Sequence, residues 1–116
     1  PFIQMAAVQA MTDSQIYVDG MIAEYRKRRD LIVTGLNQIE GIHCVNPGGA
    51  FYVFPNITGT GLTSEEFSEL MLETANVATC PGNYFGEAGE GFVRFCFANS
   101  EKNIMKALKR IEKALI

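Results

Sequence analysis

Gly91-Phe92-Val93-Arg94-Phe95-Cys96-Phe97-Ala98 is the stretch whose reading decides the fold. It has the densest strand-forming composition in the chain, with phenylalanine at three of its eight positions and an arginine at its centre. Strand alternation puts Val93, Phe95 and Phe97 on one face, and Phe92, Arg94, Cys96 and Ala98 on the other. Arginine is rarely buried in a strand unless an anion pairs with it, because an unpaired buried charge costs several kcal/mol. Two explanations are open. A carboxylate of this chain, from Glu87, Glu90 or Glu101, neutralises Arg94, or its face opens onto a site where an anionic ligand does so.

Working outward, Ser100 is placed to cap a last helix with Ile104, Ala107, Leu108, Ile111 and Leu115 as its buried stripe. Upstream, Gly86 and Gly89 mark a glycine-rich connection, and Val77-Ala78-Thr79-Cys80 reads as a strand stopped by Pro81-Gly82. That connection is too short for a crossover helix, so the two strands are expected to pair antiparallel or to lie close together. Thr63 and Glu66 fit a capping box opening a helix that runs to about Ala75. Ala50 to Phe54 reads as a strand buried on both faces, and Ile42 to Val45 as another, separated by the turn Asn46-Pro47-Gly48-Gly49. Val18, Met21, Ile22, Tyr25, Arg29, Ile32, Val33 and Leu36 recur at helical steps, predicting a long amphipathic helix to about Gln38. Asp13 or Ser14 could cap it, and Gly41 is placed to stop it. Residues 1–12 suggest one or two further helical turns. The expected fold class is α+β: a small sheet of about four short strands with helices on one face, preceded by the long helix.

The composition fits one globular domain with a real core, at 116 residues and 47% hydrophobic. A net charge of −3 argues against a nucleic-acid or anionic-membrane surface. The basic run Arg26-Lys27-Arg28-Arg29 falls in the helical pattern and reads as a solvated face. No apolar run approaches the ~18 residues of a membrane span, and no signal sequence opens the chain. Cys44, Cys80 and Cys96 lie in apolar segments, suggesting buried reduced thiols and a cytoplasmic setting. His43 stands apart from any ligand-like spacing, so no metal site is expected. The glycine pairs do not link a strand to a helix as a phosphate loop requires. Ser64 and Ser100 read as caps, and the carboxylates Glu65, Glu66, Glu69 and Glu73 as a solvated helix face.

From Gly48 onward the chain resembles the C-terminal small domain of class I/II aminotransferases, the fold-type-I enzymes that use pyridoxal 5′-phosphate (PLP). The resemblance is carried by Pro47-Gly48-Gly49-Ala50-Phe51-Tyr52-Val53-Phe54-Pro55, by Val77-Ala78-Thr79-Cys80-Pro81-Gly82 with Phe85-Gly86, and by Gly89-Glu90-Gly91-Phe92-Val93-Arg94 with Ala98-Asn99-Ser100-Glu101. Tyr25, Arg28, Arg29 and Asp30 match a run in the preceding helix of that family, and Gln4, Ala6 and Ala7 its upstream segment.

The resemblance implies that Arg94 binds the α-carboxylate of an amino-acid or 2-oxo-acid substrate, in a domain that closes over the site. It implies residues 1–40 as a helical segment joining a large domain outside this chain, and residues 41–116 as the α+β core. It also implies a homodimer for the intact enzyme. The turns at Asn46–Gly49 and Pro81–Gly86 would face the active site or the domain junction. PLP chemistry needs a lysine that condenses with the cofactor, and Lys27, Lys102, Lys106, Lys109 and Lys113 match no such motif. The expectation is therefore a substrate clamp without catalytic or cofactor-binding residues, inactive alone and cut from a longer chain, as Pro1 at the start also suggests. Two alternatives stand beside it. One is an autonomous module binding a carboxylate metabolite through Arg94, and the other a PLP-dependent lyase or synthase on the same scaffold.

Overall fold

The computed structural model describes all of residues 1–116. Its elements run in the order α1 (Phe2–Thr12), α2 (Ile16–Asn37), β1 (Tyr52–Val53), α3 (Ser64–Leu70), β2 (Cys80–Pro81), β3 (Val93–Cys96) and α4 (Glu101–Ala114). The three strands form one antiparallel sheet in the order β1-β3-β2. Val53 lies opposite Phe95 and Tyr52 opposite Cys96 on one side of β3, while Cys80 faces Arg94 and Pro81 faces Val93 on the other. The antiparallel pairing of the last two strands and the α+β class hold, but the upstream strand is Cys80–Pro81, not Val77 to Cys80 ended by Pro81.

Alternation in β3 makes the sheet two-sided. Val93, Phe95 and Phe97 are buried and join Val53, Phe67 and Met71 in the core. Ile32 and Leu36 of α2 and Ile104 and Ile111 of α4 complete that core, so the helices cover one face. The opposite face carries Tyr52, Arg94 and Cys96, none of them buried, and contributes nothing to that core. The α4 helix buries the predicted stripe at Ile104 and Ile111 and leaves Ala107, Leu108 and Leu115 half-buried. Ser100 caps it, its hydroxyl accepting from the Asn103 amide.

Three expectations are corrected. The fourth strand, Ile42 to Val45, shrinks to a single bridge from His43 to Asn56. The Asn37 side chain accounts for this, accepting from the Cys44 amide and donating to the Cys44 carbonyl, both at 2.8 Å. Those two backbone groups are satisfied by an amide side chain and do not join a ladder. Within Phe51 to Phe54 only Val53 is enclosed; Tyr52 is half-buried, and Phe51 and Phe54 are each about 40% exposed. Of the three cysteines, which are all free, only Cys44 is buried, and burial pushes its thiol up to about 11. Cys80 is half-buried and Cys96 exposed, since they belong to the uncovered face.

The N-terminal helices differ from expectation in extent and burial. Instead of a turn or two, α1 is a full 11-residue helix, yet none of its residues is buried. It also lacks any charged residue, a composition that in globular proteins belongs to a helix enclosed on several sides. Neither Asp13 nor Ser14 caps α2, whose N-terminal position is Gln15 without a side-chain bond. Its stripe packs only from Tyr25 onward, leaving Val18, Met21 and Ile22 exposed.

The start of α3 links the helical layer to the loop before β3. Thr63 and Glu66 form the predicted capping box, each side chain bonding the other's backbone amide. Ser64 does not cap. Its amide donates to Glu90 Oε1 at 2.8 Å and its buried hydroxyl accepts from the Gly91 amide at 2.9 Å. The bond from the Ser64 amide is the main reason the Glu90 carboxyl is held below its ordinary value. A depressed folded-state pKa means the contact contributes above the ordinary glutamate range and is lost as pH falls through the folded value. Glu90→Gln is expected to lower the urea midpoint at about pH 6, with the gap closing as pH falls through the lowered Glu90 pKa and that side chain is neutralised as well. A constant gap across that range in paired urea titrations would contradict the assignment.

Candidate functional site

Arg94 sits at the middle of the central strand, half-buried, on the face the helices leave open. The structure provides no carboxylate for it. The ion pairs of the chain are Lys27 with Glu24 and Arg29 with Asp30, each at 2.8 Å. Of the three glutamates proposed as internal partners, none is paired with Arg94, and Glu90 is turned instead toward α3. No side chain or carbonyl of the chain accepts a hydrogen bond from the guanidinium, so its planar set of donors is available to a ligand.

Two aromatic rings hold it instead. The guanidinium carbon lies 4.4 Å from the centre of the Tyr52 ring and 4.9 Å from that of Phe85. The register explains the first contact. Tyr52 pairs with Cys96, which puts its ring one diagonal step from Arg94 on the same face. The second depends on the loop between β2 and β3, where Gly82 and Gly89 approach backbone to backbone. A Cβ at Gly82 would collide with the carbonyl oxygens of Gly89 and Phe92. That contact folds the loop back on itself and brings Phe85 over the sheet. Phe85 meets Phe54 edge-on at 6.1 Å, and Phe54 stacks on Phe92 at 5.3 Å.

Neither ring was singled out from the sequence. Tyr52 carried a signal in its place within the alternating run Phe51 to Phe54, but the strand register that brings it to Arg94 is not written in local sequence. The two predicted turns separate. Pro81–Gly86 converges on Arg94 through Phe85, whereas Pro47 to Ala50 faces α2, where they line a cleft of about 340 Å³ with Tyr25, Arg26 and Arg29. Arg29 donates to the Pro47 carbonyl at 3.4 Å, tying that turn to the helix. No three His, Cys, Asp or Glu side chains converge as a metal site would require. No helix is long and apolar enough to cross a membrane.

The sequence profile of the family described as aminotransferase class I and II matches residues 2–111. The chain belongs to the class I and II aminotransferases. Among its relatives, an aspartate aminotransferase of Pyrococcus horikoshii is 47% identical over 116 residues, covering 98% of this chain and 30% of its own length. An aromatic-amino-acid aminotransferase 2 of Thermococcus litoralis matches with the same identity and coverage. The crystal structure of an aromatic aminotransferase from Pyrococcus horikoshii superimposes with a TM-score of 0.92 at 47% identity, over 98% of this chain and 31% of that one. The chain thus spans about 30% of the length of the aminotransferases it matches.

The lysines are placed unfavourably for holding an aminotransferase cofactor. Lys27 is on α2 and paired with Glu24. Lys102, Lys106, Lys109 and Lys113 are on α4, whose buried residues enter the core from the side of the sheet opposite Arg94. All five lysines of this chain lie on α2 and α4, none on the strands or on the β2–β3 loop that surround Arg94, so these elements offer PLP no lysine.

Proposed function

We propose that this chain is the small domain of a PLP-dependent aminotransferase that moves an amino group between an amino acid and a 2-oxo acid. Arg94 receives the substrate α-carboxylate. The observation that carries this reading is an arginine at the centre of a strand with no anion from its own chain and its donors open on an uncovered face. A carboxylate ligand completes it with two parallel, charge-assisted hydrogen bonds, a geometry guanidinium matches and ammonium does not. Family membership supports the same reading. PLP supplies the electron sink for the chemistry, and in this proposal it is held by the rest of the polypeptide.

Residues 1–40 are read as the segment that docks on that remainder, and residues 41–116 as the closing α+β core. In support, Phe2, Ile3, Met5, Val8 and Met11 of the uncharged α1 are all more than 60% exposed in this chain alone, an apolar surface of the kind that marks an interface. A homodimer, as the family resemblance implies, and a cytoplasmic setting, as the free cysteines suggest, complete the reading.

The test is product analysis on the full-length polypeptide supplied with PLP, an amino acid and a 2-oxo acid. Stoichiometric exchange, with one new 2-oxo acid per new amino acid, is expected. Release of ammonia or of an elimination product in its place would put the protein among the lyases.

A further inference from the structure

We infer that Tyr52 and Phe85 are positioning residues that hold the Arg94 guanidinium ready for a carboxylate, an inference that depends on Arg94 being the clamp. An arginine side chain has many rotamers, and ordering it on binding costs affinity. Here no hydrogen bond or ion pair fixes the guanidinium, and the two ring contacts at 4.4 and 4.9 Å are what restrain it. Ring faces attract the cation without occupying its N–H groups, which point in the guanidinium plane. A carboxylate partner within the chain would fix Arg94 equally well, but it would compete with the substrate. Aromatic bracing avoids that competition, and the rings displace water from beside the guanidinium, which strengthens a pairing formed there.

The bracing is itself supported. Tyr52 sits in the ladder opposite Cys96 and packs on Phe51 at 4.6 Å between ring centres. Phe85 lies against Phe54, which stacks on Phe92, so the outer ring is part of an aromatic row across the open face. Phe85 is 56% exposed, a degree of exposure that core packing does not require of a phenylalanine.

The experiment uses the full-length enzyme and an unreactive carboxylate, 3-phenylpropanoate or succinate, whichever inhibits the wild type. Tyr52→Leu and Phe85→Leu are each expected to raise its inhibition constant about ten-fold, and Tyr52→Phe to restore it to within about two-fold. Inhibition by 2-phenylethylamine, which lacks the carboxylate, is the control, because general loosening of the site would weaken both. Phe85→Leu removes an exposed ring and keeps the test interpretable should Tyr52→Leu fail to fold. If both leucine variants bind the carboxylate as wild type while Arg94→Ala does not, the bracing is wrong and the clamp stands. If Arg94→Ala also binds as wild type, the clamp assignment itself fails.

Discussion

Replacing Arg94 with lysine in the full-length enzyme is expected to lower kcat/KM for its best amino acid by about thirty-fold or more. Lysine keeps the charge but loses the planar fork, so one point contact replaces two parallel hydrogen bonds, a difference on the order of 2 kcal/mol. It also loses the contacts that the guanidinium carbon makes over the Tyr52 and Phe85 rings. Because Arg94 makes no ion pair within the chain, the thermal midpoint is expected to change little. That contrast separates a binding role from a structural one. Steady-state kinetics beside a melting curve reads it directly, and wild-type kcat/KM in the lysine variant would remove Arg94 from the site.

Phe67→Ala is expected to destabilise the fold by about 3–5 kcal/mol, the usual cost of emptying a fully enclosed phenylalanine site. Phe67 has no exposed surface and lies in the core with Val93, Phe95 and Phe97, between α3 and the covered face of the sheet. Since domains are stable by only about 5–15 kcal/mol, the loss takes a large part of the total. A shift of the melting midpoint on the order of 15 °C should follow. A shift of only a degree or two would mean that α3 is not seated on the sheet as described.

What local sequence carries and what it omits divides along physical lines. The burial of Val93, Phe95 and Phe97, the caps at Thr63 and Ser100, and the stripe of α4 all follow from periodicity or from bonds spanning three residues. Arg94 stood out for a similar reason, as a charge where strand burial does not tolerate one. The lost fourth strand did not follow, because the Asn37 amide that occupies the Cys44 backbone comes from the end of α2. Tyr52 and Phe85 were missed for the same kind of reason. Strand register brings one to Arg94, and the approach of Gly82 to Gly89 brings the other. The amphipathic reading of α2 overestimated burial at Val18, Met21 and Ile22 because periodicity identifies a face to be covered without saying what covers it.

The most direct test of the central claim is a crystal structure of the full-length protein with PLP and an unreactive carboxylate analogue of its amino-acid substrate. The account predicts both carboxylate oxygens on the Arg94 guanidinium, in two parallel hydrogen bonds of about 2.7–2.9 Å, with the Tyr52 and Phe85 rings still against it. A carboxylate held by another residue, with Arg94 contacting only those rings, would contradict it.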